Sequence, residues 1–414
     1  MITPSYGLTA TERVLPRMAL DFTTATLDPR VTFTRTGNTA TVVNSSGFVA
    51  SINADLPRFD FNPTTLVCNG LLIEETRTNL FTYSEDFSDA SWVKSNATIT
   101  TDAVVSPSNV QNADKIVEAA TTGSHFFEKV VAVTSGTLYT WSGFFKAGER
   151  PSVSLTAFTN ANHTATFNLI TGTASTPVNA TSAITNFGNG WYRCSITLTS
   201  GSTGNGFFDT YINNGTSASY AGNGTSGIYA WGAQLEAGAF ATSYIPTTTA
   251  SLTRNADVAT MTGTNFSSWF NASEGAIVAQ AARANIPVSN STNILAISDG
   301  TSSNRSRIWI WAGNPSQLAF TCTASGAGQA DMNPGSVTAN VTFNVAGAYK
   351  LNDFATARNA GAVVTDTSGI VPIGLNVLNI GAREDLIEFL NGHIKKIAYY
   401  PQRLTNSELQ AFTK

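Results

Sequence analysis

Along much of this chain apolar residues fall on every second position over strand-length stretches. Tyr139, Trp141, Gly143 and Phe145 form one such run, and Ala165, Phe167 and Leu169 a second. Cys194, Ile196 and Leu198 follow, then Tyr229, Trp231, Ala233 and Leu235. A period of two places alternate side chains on one face of a β-strand, so each run predicts a half-buried strand. Turn-forming clusters such as Asn186–Gly190 and Asn213-Asn214-Gly215 separate the runs. Residues 81–250 are therefore expected to form an antiparallel sandwich, ending in the linker Thr247–Ser251. A second sandwich is expected over 251–414, with strands at Ala276–Gln280, Ile294–Ile297, Ile308–Trp311, Leu318–Cys322 and Gly392–Tyr400. Thr405-Asn406-Ser407-Glu408 has the spacing of a capping box and predicts a short helix over Ser407–Phe412.

Residues 1–80 differ. They hold short extended pieces, Val31–Thr34 and Thr39–Val43, with turns at Thr36-Gly37-Asn38 and Ser46-Gly47. Large apolar groups are few, so this stretch is expected to pack on something else. The fold class read from the pattern is all-β: an extended amino-terminal β segment (1–80), then two antiparallel jelly-roll β-sandwiches (81–250 and 251–414).

Composition sharpens this reading. Only 12% of the 414 residues are charged while 42% are hydrophobic and 10% aromatic. Thr, Ser, Asn and Gly replace the usual exposed helix formers, which excludes a helical protein, and the aromatic load excludes a disordered one. A net charge of −4 without any basic stripe argues against nucleic-acid binding. No apolar run approaches the roughly 20 residues that span a bilayer, so no membrane insertion is expected. The start Met1–Tyr6 lacks the features of a secretory signal. Cys68, Cys194 and Cys322 lie far apart and read as free thiols in a protein made in a reducing cytoplasm.

Candidate chemistry is sparse. Glu74 and Glu75 are adjacent on an extended chain and point to opposite faces, so they cannot flank one glycosidic bond. Glu85-Asp86-Phe87-Ser88-Asp89 reads either as an acidic turn or as a wrap for a structural calcium ion. His125, His163 and His393 stand alone in sequence and read as surface residues, without a nucleophile signature nearby. No catalytic residue, catalytic metal or cofactor is expected. The aromatic residues Trp141, Trp191, Tyr229 and Trp231 read as core, or as rings on which a sugar stacks beside amides and carboxylates. Ile308-Trp309-Ile310-Trp311 is apolar on both faces, so one face should fill a sandwich and the other meet a subunit or ligand.

Several of these motifs resemble fibre and spike proteins of tailed bacteriophages. Pro57-Arg58-Phe59-Asp60-Phe61 with Gly70–Glu74 and Arg77-Thr78-Asn79-Leu80 resembles the amino-terminal segment of head-spike or tail-fibre proteins. Gly190–Arg193, Trp231–Gly238 and Ser243–Thr247 are similar to jelly-roll carbohydrate-binding modules of such fibres. Asn391–Ile394 with Arg403–Thr405 looks like a concanavalin-type laminin-G sandwich. The resemblance implies a structural, non-enzymatic protein of the virion surface, a head fibre, spike or tail fibre active in host adsorption. Its partners would be itself as a homotrimer, a phage capsid or tail protein, and host-surface polysaccharide. Arg58, Phe59, Asp60, Phe61, Arg77 and Asn79 would then belong to a virion anchor. Two rival readings remain open, a capsid decoration protein without ligand and a glycan depolymerase.

Overall fold

The computed structural model describes residues 14–284, 291–311 and 317–414. The amino-terminal Met1–Tyr6 lies outside them. Among the described residues strands dominate, with two α-helices, Gly263–Ser267 and Asn406–Phe412, and one 3-10 turn. The protein is all-β, as the alternation indicates.

The chain forms two compact units whose boundaries differ from the three-part division above. One comprises Arg35–Cys68 and Thr76–Ala256, the other Met1–Thr34, Asn69–Glu75 and Asp257–Lys414. Residues 14–80 are thus shared between the units instead of forming a segment of their own. The reason is strand pairing over long sequence distances. Met18–Asp21 pairs with Gly392–Tyr400, placing Met18 opposite Tyr399, and Leu71 lies opposite Ile394 on the same strand. Thr32–Thr34 pairs with Val258–Thr262. The thin apolar content of the stretch is met by sheets of its own chain.

In the unit built on Thr76–Ala256 two six-stranded antiparallel sheets face each other. The first runs in the order Thr181–Asn186, Trp191–Thr199, Leu138–Ala147, Gly227–Ala237, Gln111–Glu118 and Ala97–Val105. The second runs Thr173–Ala174, Asn162–Asn168, Ser152–Phe158, Gly204–Asn213, Phe126–Val133 and Val93–Ser95. Their inner faces enclose a core that includes Trp141, Phe145, Phe167, Cys194, Ile196, Leu198 and Phe208. His125 and His163 are buried here, on the Asn96 and Asn179 carbonyls respectively, contrary to the surface placement expected.

One strand departs from the predicted alternation. Within Gly227–Ala237, Ile228 and Ala230 face the core, and so do Ala233 and Leu235. The phase changes at Gly232, which adopts φ +63° where the pairing with Leu138–Ala147 shifts register. This is a β-bulge, and glycine suits it because an added Cβ would meet the Phe144 ring at 2.9 Å. Tyr229 and Trp231 consequently lie on the face opposite Ala233 and Leu235. There Trp231 joins a second cluster with Val49, Ala113, Phe144, Trp191 and Tyr244.

The other unit is also a sandwich. One sheet contains Val364–Asp366, Phe354–Arg358, Phe343–Lys350, Glu274–Arg283 and Gly392–Tyr400 in order, the last flanked by Cys68–Ile73 and Met18–Asp21. Seven strands from Thr32–Thr34 to Ala327–Ser336 make the second. Gly347 leaves room for Phe320 of the facing sheet, whose ring approaches the missing Cβ to 2.3 Å. The helix Asn406–Phe412 carries the predicted capping box: the Thr405 hydroxyl accepts from the Glu408 N–H while the Glu408 side chain accepts from the Thr405 N–H.

Candidate functional site

The phase change at Gly232 turns Trp231 out of the main core and into the wall of a cavity of about 430 Å³. Four other pieces of the same unit complete the wall. A hairpin of Ala40–Val43 and Val49–Ile52 contributes Thr41, Val49, Ala50 and Ser51, and its turn contributes Asn44 and Phe48. Asn44 shapes that turn by accepting from the N–H groups of Ser46 and Phe48. A tight loop supplies Ser108, Asn109 and Val110, closed by the Ser106 N–H donating to the Val110 carbonyl. The Val49 N–H donates to the Pro107 carbonyl at 2.9 Å and joins the hairpin to this loop. Glu85 comes from the turn after Tyr83, and Tyr244 and Pro246 from the strap that follows Gly227–Ala237.

Conserving this strap in place requires buried polar side chains, and the Gln234-x-Glu236 pair provides them. Gln234 donates to Glu236 at 2.7 Å and accepts from the Ile245 N–H at 2.6 Å. The Glu236 carboxyl accepts from the Thr242 N–H at 3.0 Å. Asn79, fully buried, makes four further bonds: its amide donates to the Ala233 and Ile245 carbonyls, and its oxygen accepts from the N–H groups of Phe81 and Leu235. Buried polar groups of this kind fix a loop because leaving any of them unpaired is costly.

Inside the cavity the Trp231 and Tyr244 rings lie 4.8 Å apart, tilted by 53°. The Glu85 carboxyl accepts from the Tyr244 hydroxyl at 3.0 Å and from Asn112 Nδ2 at 2.9 Å. The Tyr244 hydroxyl also meets Ser84 Oγ at 2.6 Å. Burial pushes the Glu85 carboxyl above its ordinary range, against the Tyr244 hydroxyl and the Trp231 indole, which pull it down. The Trp231 N–H leans toward Glu85 but has no acceptor in hydrogen-bonding geometry among the described residues.

The four aromatic residues singled out in the sequence thus part company. Trp141 is 1% exposed within the main core and offers no face to a ligand. Trp191 supports the second cluster, its N–H on the Val105 carbonyl at 3.1 Å. Tyr229 is half-buried one strand step from Trp231, with the Lys115 ammonium 6.0 Å from its ring. Trp231 alone of the four lines the cavity. Glu85, Tyr244 and the two loops were missed as a group, because five separate segments converge there. The Ser243–Pro246 motif was the available signal.

The remaining sites resolve as follows. Arg58 is fully buried and donates to the Thr41 carbonyl and Ser243 Oγ. Asp60 accepts from the Val43 N–H, and Phe59 and Phe61 are half-buried beside it. Arg77 donates to the Ala237 carbonyl and covers the Phe240 ring. With Asn79, these residues brace their own unit, and the buried ones among them present no docking surface. Ile308 and Ile310 fill the second sandwich, and Trp309 is half-buried with the Arg307 guanidinium 3.8 Å from its ring centre. Trp311 is 49% exposed. The acids proposed as a calcium wrap have separate partners: Asp86 caps Ser88, Asp89 caps Ser91, and Glu85 enters the cavity. Among the described residues no three acids, histidines or cysteines cluster as metal ligands would.

No protein-family model and no curated protein matches the chain. Solved structures do match in part. A sialidase carbohydrate-binding module (CBM40) of Ruminococcus gnavus, bound to α2,3-sialyllactose, is similar at 15% identity, covering 35% of this chain and 84% of that one with a TM-score of 0.30. Domain 4 of an extracellular arabinanase from Geobacillus stearothermophilus, with arabinotriose, has 10% identity over 42% and 82% of the chains, again at 0.30. The binding domain of botulinum neurotoxin DC, with rat synaptotagmin II, has 13% identity over 38% and 39%, also at 0.30. These are β-sandwich binding modules, and likeness at this level says nothing of a ligand.

Proposed function

We propose that this protein is a non-catalytic glycan-binding subunit, and that its cavity is the sugar site. The observation that carries the reading is the cavity's chemistry. The half-buried Phe48 ring, one carboxyl and several amide and hydroxyl groups line about 430 Å³, with the buried Trp231 and Tyr244 rings in the same wall. A sugar needs an apolar face for its ring C–H groups and a few fixed polar groups for its hydroxyls. Glu85 is the only carboxyl among the lining residues, whereas glycoside hydrolysis ordinarily takes a pair flanking the bond. That favours binding over cleavage.

The resemblance to tailed-phage fibres extends the proposal: the protein is displayed on a virion, as a homotrimer, and touches host-surface polysaccharide. Many copies on one particle would offset weak binding at each site. Trp311 supplies an exposed aromatic surface for contact between copies. Immunogold labelling of particles and mass measurement of the purified protein test these two parts.

The cavity itself is tested by calorimetry against a panel of oligosaccharides, using wild type and Ser51→Trp. Ser51 is exposed at the cavity wall, so an indole there fills the mouth without disturbing the core. Binding that falls at least about tenfold in the variant supports the assignment. Binding unchanged by the variant, or release of reducing sugar on incubation, contradicts it.

A further inference from the structure

The charge of the cavity narrows the choice of sugar. Glu85 is the one ionisable acid or base in its lining besides the Tyr244 phenol. The side chains bonded to it, Tyr244 and Asn112, are neutral donors. Two arginines bonded nearby do not line the cavity. Arg58 is held on the Thr41 carbonyl, and Arg193 on the Thr242 carbonyl and over the Phe144 ring, from where its charge acts on the Tyr244 phenol. Neither is among the groups that shift Glu85. The carboxylate is therefore partly desolvated without a cation of its own, in a wall that also holds the half-buried Phe48 ring and the buried rings of Trp231 and Tyr244.

Aromatic faces attract a cation through their negative quadrupole, most strongly where water is excluded. A carboxylate alongside adds a Coulomb attraction that is larger there than in water. An anionic ligand meets the opposite situation, because its charge would sit by Glu85 with no lining cation to offset it.

We infer that the cavity prefers a sugar bearing a protonated amine, a non-acetylated amino sugar, and disfavours acidic sugars. The inference rests on the glycan-binding reading above and names the class of glycan that the site selects. Glu85 receives the ammonium group, and the half-buried Phe48 ring receives the ring face next to it.

The test is calorimetric titration of the full chain near neutral pH with glucosamine, N-acetylglucosamine, glucose and glucuronate. N-acetylglucosamine keeps the nitrogen and removes its charge. The expected result is glucosamine binding about tenfold more tightly than glucose or N-acetylglucosamine, with glucuronate weakest. In Glu85→Gln, folded by thermal melting, the ratio of glucosamine to glucose affinity should fall from about ten to about one. Should that variant not fold, the wild-type ratio of glucosamine to glucose decides alone. Equal affinity for glucosamine and glucose, or a preference that survives Glu85→Gln, overturns the inference and leaves the glycan reading standing. Failure of all four sugars to bind overturns the inference, and failure of the oligosaccharide panel as well overturns the glycan reading.

Discussion

Asn79→Ala is expected to loosen the cavity from behind. The Asn79 side chain is fully buried and closes four hydrogen bonds of 2.8 to 3.1 Å, two as donor and two as acceptor. Alanine leaves the Ala233 and Ile245 carbonyls and the Phe81 and Leu235 N–H groups without this partner. A buried group left unpaired costs about 1–3 kcal/mol, and water entering the small void recovers part of that. The sum comes to about 4 kcal/mol, at the upper end for a single substitution. Asn79→Asp separates the contributions, since it keeps two acceptor bonds and sets a carboxylate against two carbonyls. It should be no better than alanine at neutral pH. Urea unfolding followed by tryptophan fluorescence and circular dichroism measures both, and the transition affected should be that of the unit holding Thr76–Ala256. A loss below about 1 kcal/mol for Asn79→Ala, with native spectra, would refute the clamp.

Three more expectations concern the same unit. Gly232→Ala places a methyl group at φ +63° and 2.9 Å from the Phe144 ring, so it should cost about 1–3 kcal/mol and abolish sugar binding; an unchanged melting curve would count against the bulge. Burial pushes the Glu118 carboxyl up, but the Arg150 guanidinium, the Tyr220 hydroxyl and the Asn223 N–H together outweigh it and hold it at about 2 instead of 4.5. A depressed carboxyl stabilises above its unfolded value, so Glu118→Gln should cost about 2 kcal/mol at neutral pH, allowing for solvent around Arg150. That cost should fade as pH drops from 4.5 towards about 2, and a cost independent of pH would show that the pair is not responsible. Asp209 is opposite Glu128 on the neighbouring strand, and burial, then that neighbour, push it up to about 7 from 3.8. A raised carboxyl destabilises above its folded value, so Asp209→Asn should raise the melting temperature above pH 7 and have no such effect below 3.8; a lower melting temperature at high pH would reverse the argument.

The regular parts of the fold could be read from the sequence because one face of each strand must be apolar. Cys194, Ile196 and Leu198 show this plainly, and all three lie in the core. The capping box at Thr405 was equally legible, since its two reciprocal bonds depend on residues three apart. The bulge at Gly232 was not. Apolar residues occupy both faces of Gly227–Ala237, so a one-residue phase change leaves no gap in the alternation. The fate of residues 1–80 was hidden for another reason: the strands that Met18–Asp21 and Thr32–Thr34 pair with lie hundreds of residues later, beyond any local pattern. The cavity was illegible as a whole because it depends on register across five segments. Its strap, Ser243–Pro246, and its wall residue Trp231 were each visible singly, without sign that Glu85 would join them.

The Trp231 indole signal gives the most direct test of the sugar site, because Trp231 lines the cavity beside Glu85. In a proton–nitrogen correlation spectrum the seven indole signals are few enough to follow, and Trp231→Phe assigns the relevant one. Titration with a bound sugar should move that signal, as the sugar fills the space beside the ring and Glu85, while the Trp141 signal stays in place. A sugar that binds without moving the Trp231 signal would contradict the account.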